Sequence, residues 1–401
     1  MNDSRFEVVE RKGLGHPDTL ADGIAEAISI EYSKFCLERF GVILHHNVDK
    51  IMLVGGSCNV DFGIAELTSP IRVVLNGRMS RCFGSVDIDI RDIQTRVAMD
   101  YISGILSRLD ADRDLTTHVL VSSSSRIPYW FSPRNKDDVP DYSNPHVNDT
   151  ATVTSFWPLS NVETVVLHGE KFFYNDELKP RFDFVGHDIK ITGIRRDREL
   201  QLVACVPFFA EKVADETDYK EKKALVQESL LDHLRDRFSD TGLRITLSIN
   251  TQDLNVREGN AKGHYLTVTG SALDYGEEGV VGRGNRCRGL ISGYRPSMVE
   301  ASYGKNPVYH VGKVYSHAAN VMSSEITAQT GFDVSIMITC RNGDPLYAPY
   351  NIIVSTSGRV DEGTIRDTIH DILQQPSWTE EIITGKVFLP TTELLSGTRR
   401  I

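Results

Sequence analysis

Cysteine is scarce in this chain and never spaced for a metal: the six thiols of the 401 residues, Cys36, Cys58, Cys82, Cys205, Cys287 and Cys340, form no C-x-x-C and have no histidine at zinc spacing. That excludes a zinc ribbon or a disulfide-built scaffold and reads as free buried thiols in a reducing compartment. No apolar run reaches the roughly 20 residues that a membrane helix needs, and the polar first residues do not read as a signal peptide. A cytoplasmic protein with no membrane partner is the expectation. Positive charge is in deficit, 44 Lys and Arg against 55 Asp and Glu, for a net charge of −11. No nucleic-acid partner is expected, since counterion release needs a basic surface. Two common glycine signatures are also missing. Gly13 and Gly15 meet Asp18 where a dinucleotide fingerprint needs its third glycine, Gly282 and Gly284 meet Cys287, and no Gly-Lys-Ser/Thr occurs.

What the chain does have is a dense polar block at its start. Glu10-Arg11-Lys12-Gly13-Leu14-Gly15-His16-Pro17-Asp18 runs straight into a helical pattern whose buried face is Leu20, Ile24, Ile28 and Tyr32. Pro17 suits the first helical position, the glycines let backbone approach a ligand closely, and the free N–H groups of the first turn favour an anion. Asp18, Asp22 and Glu26 repeat every four residues on another face, a spacing that disfavours a bare helix by roughly 0.2–0.5 kcal/mol per pair. That stripe is either solvated or matched by a cation. Farther on, residues 267–315 alternate glycines with Arg, Lys and Asn. Long cations are costly to order unless they grip something polar, and a triphosphate fits. Surface salt bridging is the other reading of Arg283, Arg286 and Arg288.

β-branched runs predict strands over 50–58, 71–75, 188–194, 200–207, 243–251, 265–271, 334–340 and 352–357. Apolar periodicity predicts helices over 17–40, 90–108, 219–238, 311–330 and 360–373. Clustered strands between single long helices imply an α+β architecture with sheets covered by helices. Residues 127–150, with Pro128, Pro133, Pro140 and Pro145 and no apolar period, read as a loop that either gates an active site or is a passive insertion.

In order and spacing, the blocks 10–29, 45–56, 148–150, 186–193 and 270–313 resemble the S-adenosylmethionine synthetases of the archaeal type. The first block and 281–313 are the most specific; the match weakens after 387, and the start is shorter than usual for the family. The resemblance implies one unit over 1–401, made of three similar, intertwined α+β subdomains about a pseudo-threefold axis, although no threefold repeat is visible in the sequence. It also implies a homodimer or a dimer of dimers with active sites at the interface. The implied reaction transfers the adenosyl group of ATP to the sulfur of L-methionine and hydrolyses the triphosphate to phosphate and pyrophosphate, with two Mg2+ ions expected and K+ left open.

A sulfur nucleophile needs no general base, so such a site must align the reacting atoms and stabilise charge on the triphosphate. Carried over residue by residue, His16 donates to the leaving oxygen, with helix capping as its other role. Asp18 binds Mg2+, which often bridges carboxylate to phosphate, while Asp22 and Glu26 are structural. Lys190 binds phosphate beside Asp188, Arg283 and Lys305 hold the polyphosphate, and Asp149 contacts the nucleoside. Gly15, Asn306, His310 and Lys313 adjoin the nucleotide, whereas Arg286 and Arg288 are equally compatible with a structural role.

Departures from the family cluster where the amino acid is expected. Ser122-Ser123-Ser124-Ser125 replaces Gly-Gln-Gly-Ser, Glu277-Glu278 replaces paired aspartates, Ser155-Phe156-Trp157-Pro158-Leu159 replaces Gly-Tyr-Ala-Pro-Leu, and Tyr309 replaces an asparagine. Ser123, Phe156, Trp157, Glu277 and Tyr309 are thus expected to line the amino-acid pocket, where unmatched polar groups reject ligands strongly. Three functions stay open: a divergent synthetase that uses methionine, a paralogue that adenosylates a methionine analogue or other small acid, and a non-catalytic ATP-binding partner of a synthetase. His16, Asp18, Lys190 and Lys305 argue against the third.

Overall fold

The computed structural model describes residues 4–139, 141–255, 261–298, 300–374 and 378–393. Three main sheets each share an apolar core with two long helices, and the third core also takes Trp378 and Ile382 of the short helix Trp378–Thr384. In the five-stranded sheet the order is Arg244–Ile249, Glu199–Cys205, Lys190–Arg196, Phe6–Lys12, Ile291–Ser292, packed by helices Asn161–Lys171 and Glu216–Arg237. Leu115–Val119, Ile71–Leu75, Met52–Val54 and Glu278–Val280 make the four-stranded sheet, under helices Pro17–Phe40 and Ile90–Ile105. Thr152–Trp157, Val334–Thr339 and Asn351–Thr356 form the three-stranded sheet, with helices Val311–Thr330 and Glu362–Leu373. Two of the sheets draw strands from both ends of the sequence, so the expected α+β class is realised with interwoven cores.

The strand Phe6–Lys12, internal to its sheet, escaped the hydrophobic pattern because its buried face is charged. Glu7, Val9 and Arg11 point inward at 2 % exposure or less; Arg11 Nε donates to Glu170 Oε2 at 2.6 Å and Glu7 accepts from Ser160 Oγ. Helix Asn161–Lys171 was missed for the opposite reason. Val162, Thr164, Val165 and Val166 have weak helix propensity, but a capping box compensates, with Ser160 Oγ accepting from Glu163 N at 3.1 Å and Glu163 Oε2 accepting from Ser160 N at 2.7 Å. The expected strand 50–58 breaks into Met52–Val54 and Ser57–Asp61. At the break, a Cβ on Gly55 would lie 2.5 Å from the Leu273 carbonyl oxygen.

Among the described residues, the segment 127–150 carries the short 3-10 turn Lys136–Asp138 and a single bridge from His146 to Pro345, and Pro140 lies outside the described residues. The loop is nonetheless anchored: Phe131 is buried, Trp130 stacks on His45 at 3.6 Å, and Tyr142 accepts from Ile43 N. Among the described residues no helix is long and apolar enough to cross a membrane.

Candidate active site

The sheet strand Phe6–Lys12 delivers Lys12 to the start of helix Pro17–Phe40 through a turn with no room for side chains. A Cβ on Gly13 would lie 2.4 Å from the Ile189 oxygen, and one on Gly15 2.5 Å from the His187 carbonyl carbon. Gly13 N donates to Ile189 O at 2.6 Å and Gly15 N to His187 O at 3.0 Å. The glycines thereby press residues 13–16 against the segment holding Asp188 and Lys190. His16 caps the helix, its Nδ1 accepting from Asp18 N at 3.1 Å. With Nδ1 accepting, the ring hydrogen belongs on Nε2. Burial lowers the imidazole to about 4, so at neutral pH His16 offers an uncharged Nε2–H donor.

Asp18 is fully engaged: Oδ2 receives Lys12 Nζ at 2.9 Å and Oδ1 receives Val280 N at 3.0 Å. Lys12 also donates to the Arg283 carbonyl at 2.8 Å, bringing exposed Arg283 alongside. Lys12 was not among the residues expected to act, although it stands six positions before Asp18 across the glycine turn. Lys190 lies 3.4 Å from Glu10. Asp188 is buried, accepts from Ala272 N at 3.0 Å, and is raised by burial to about 7, with the Glu277 carboxylate adding to the rise. One group thus holds Lys12, Gly15, His16, Asp18, Asp188, Lys190, Glu277 and Arg283. No cluster of three or more His, Cys, Asp or Glu converges on a metal among the described residues. A single carboxylate fits Mg2+ in the mode in which the ion keeps several waters and is held also by substrate phosphates.

The acidic stripe is neither solvated nor uniformly matched by cations. Asp22 accepts from Gly282 N at 2.7 Å, and burial raises its carboxyl well above the usual range. Glu26, eight residues and about 12 Å beyond Asp18, pairs with Lys313 at 2.8 Å with both side chains at most 1 % exposed. Lys313 also donates to Ser29 Oγ at 3.2 Å, and that hydroxyl donates to the Lys305 carbonyl at 2.9 Å. Lys305 pairs with Glu300 and sits 3.8 Å from Asp49; burial lowers it to about 8, and the exposed Asp149 acts on it electrostatically. Asn306 Nδ2 donates to Leu44 O at 3.1 Å, and His310 caps Val311–Thr330 through Nδ1. These residues form a second group at the far end of the stripe.

The five residues expected at an amino-acid pocket do not converge within one chain. Glu277 belongs to the first group. Ser123 Oγ donates to Met79 O at 2.9 Å. Tyr309 is buried, its hydroxyl 3.0 Å from His45 Nδ1, with the Trp130 ring 6.1 Å away. Phe156 and Trp157 lie elsewhere because strand Thr152–Trp157 joins the third sheet: Arg295 stacks over Phe156 at 4.2 Å and Arg288 over Trp157 at 4.8 Å. Phe156 lines a cavity with Arg11, Arg286, Arg288 and Arg295. Arg288 is not a surface salt bridge; it is 3 % exposed and bonds Phe156 O, Asn320 O and Ser323 Oγ at 2.8–3.0 Å.

Residues 1–386 match the family model of S-adenosylmethionine synthetase (AdoMet synthetase). An uncharacterized protein of Streptococcus pyogenes serotype M3 is 37% identical over 98% of this chain and 96% of its own. An S-adenosylmethionine synthase of Thermoplasma volcanium is 35% identical over 95% and 94%, and a probable S-adenosylmethionine synthase of Aquifex aeolicus 34% over 92% and 90%. A solved structure described as an unusual S-adenosylmethionine synthetase from Campylobacter jejuni shares the fold, with a TM-score of 0.62 over 98% of this chain and 97% of that one at 14% identity.

Proposed function

Because the chain belongs to the S-adenosylmethionine synthetase family and is a methionine adenosyltransferase-like enzyme of a family that uses ATP and a divalent metal, we propose that it makes S-adenosylmethionine from ATP and L-methionine and hydrolyses the triphosphate to phosphate and pyrophosphate. The methionine sulfur attacks C5′, the C5′–O bond breaks, and its electron pair leaves with the triphosphate. No proton has to move in that step. The observation that carries this reading is the group at the start of helix Pro17–Phe40: a neutral His16 with its hydrogen on Nε2, beside Lys12 and Lys190. A donor of that kind stabilises charge growing on the leaving oxygen without becoming an acid. Lys190, Arg283 and Lys305 hold the polyphosphate, Gly15, Asp188, Asn306, His310 and Lys313 frame the nucleotide, and Asp149 contacts the nucleoside.

Asp18 holds Mg2+ when the nucleotide brings it, and the metal supplies charge neutralisation of the phosphates. Within one chain the His16 and Lys305 groups stand about two helical turns apart along the acidic stripe. That separation supports a homodimer, or dimer of dimers, whose interface completes each site, and a reading of 127–150 as the loop over it. We place the enzyme in the cytoplasm and treat 1–401 as one unit of three interwoven subdomains. A second reading, an acceptor other than methionine, is favoured by one observation: Tyr309 is buried against His45 and Trp130. Purified protein incubated with ATP, Mg2+, and methionine or other thioethers, with and without K+, decides between them by mass spectrometry. S-adenosylmethionine with phosphate and pyrophosphate is the expected product set. Triphosphate release without any sulfonium product overturns the proposal.

A further inference from the structure

Four segments distant in sequence stack as a short ladder beside the second group, with Lys305 opposite Asn47, Asn47 opposite Arg78, and Arg78 opposite Ser122. Its bonds run from Val48 N to Gly304 O at 2.8 Å, Ser122 N to Gly77 O at 2.9 Å and Met79 N to Ser122 O at 3.1 Å. Directly opposed residues project to one face at about 4.8 Å spacing, so Lys305, Asn47 and Arg78 make a row about 10 Å long. The row is rigid: a Cβ on Gly77 would lie 2.4 Å from the Asn47 carbonyl oxygen.

Burial and bonding decline along this row. Lys305 is 3 % exposed and ion-paired. Asn47 Oδ1 is shut off from water and has no hydrogen-bond partner among the described residues. Arg78 is exposed, rests over the Phe131 ring at 5.4 Å, and makes no ion pair or side-chain hydrogen bond among the described residues. A buried acceptor without a donor is unfavourable until something supplies one, and a guanidinium fork matches a carboxylate. We infer that Asn47 and Arg78 read the charged head of an α-amino acid, Asn47 Oδ1 accepting from its ammonium group and Arg78 pairing with its carboxylate. This rests on the adenosyl-transfer reading above and names the residues that choose the acceptor class. Ser123, which follows Ser122 and bonds Met79 O, and Tyr309, whose phenol lies within reach of the Arg78 charge, stand beside the row, so two of the altered positions adjoin it.

The test uses the full chain with ATP and Mg2+ and three acceptors: methionine, its methyl ester, and the des-amino acid 4-(methylthio)butyrate. Arg78→Leu should raise KM for methionine roughly 10- to 100-fold, leave the ATP saturation curve in place, and abolish the preference for methionine over the ester while keeping that over the des-amino acid. Asn47→Ala should do the reverse, losing only the preference for the amine. Arg78→Gln, which keeps a stem over Phe131, gives the same comparison if the leucine variant does not fold. Product from the wild type with unchanged discrimination in the variants overturns this inference alone. No sulfonium product from the wild type with any of the three overturns the adenosyl-transfer reading, and the head-group inference falls with it.

Discussion

The two ends of the acidic stripe on helix Pro17–Phe40, Asp18 and Glu26, hold the same kind of pair, a lysine on a carboxylate, in different surroundings. Lys12 and Asp18 remain 13 % and 11 % exposed, whereas Lys313 and Glu26 are at 1 % and 0 %. A half-open pair can trade partners with an incoming phosphate or metal, because water is at hand to solvate whichever charge is released. A closed pair cannot, since separating it strands a charge in the core. The first pair is therefore free to exchange with a ligand, while the second fixes Lys313 in place beside the residues proposed to frame the nucleotide, although both sit at positions that a four-residue acidic repeat makes equivalent.

The widest gap between the ends should be in stability. Lys313→Met leaves Glu26 uncompensated and should cost about 3–5 kcal/mol in urea unfolding, while Lys12→Met should shift the midpoint far less and lower activity instead. Equal shifts would end the distinction. Next in size is the loss of transition-state donors: His16→Ala or Lys305→Ala should lower the rate of S-adenosylmethionine formation about 10²–10³-fold with circular dichroism unchanged. Near-normal turnover in either variant would place the triphosphate elsewhere.

The pH response sharpens the contrast further. Lys305 falls from 10.5 to about 8 in the folded chain, so its charge, and with it kcat/KM, should decline up to about tenfold per unit above pH 8. Its effect on stability has the opposite sign. Between pH 8 and 10.5 the unfolded chain binds more protons at this lysine than the folded one, so its contribution to stability rises across that window. Lys305→Arg should flatten the activity profile; an alkaline limb that persists in that variant belongs to another group. A smaller effect is expected at the metal: Asp18→Asn should raise the Mg2+ concentration needed for half-maximal rate, and an unchanged titration would leave Asp18 as a helix-terminal charge worth about 0.3–1 kcal/mol. Smallest of all, Ser123→Gln and Glu277→Asp should change methionine use additively, within about 0.3–0.5 kcal/mol, because one chain keeps them apart. Strong coupling would mean that two copies bring them together.

The candidate site was legible where function demands unusual residue types in a fixed order. The block from Glu10 to Asp18 and the cations of 283–313 stood out because glycines and charges side by side are hard to explain as core or surface. The helices 17–40 and 311–330 were readable to the residue, each ending at a left-handed glycine, Gly41 and Gly331. Legibility failed where a charge faces inward. Strand Phe6–Lys12 buries Glu7 and Arg11, and Arg288 is sunk under Trp157; no hydrophobic period marks such positions, and only the distant partners Ser160, Glu170 and Asn320 make them tenable.

By itself the sequence determined the α+β class, the placement of the long helices, and the gathering of glycines, histidine and lysines next to one helix start. Local propensity and short-range spacing suffice for those. Tertiary structure alone decided which acid of the Asp18, Asp22 and Glu26 repeat meets a cation and which is held by a backbone N–H. It also separated Phe156 and Trp157 from Ser123 and Tyr309, and set Asn47 and Arg78 in register with Lys305. The reason is physical: desolvation and partner choice depend on segments 20 to nearly 300 residues apart in the chain, as in the Lys313–Glu26 contact across a separation of 287, and no local pattern encodes them.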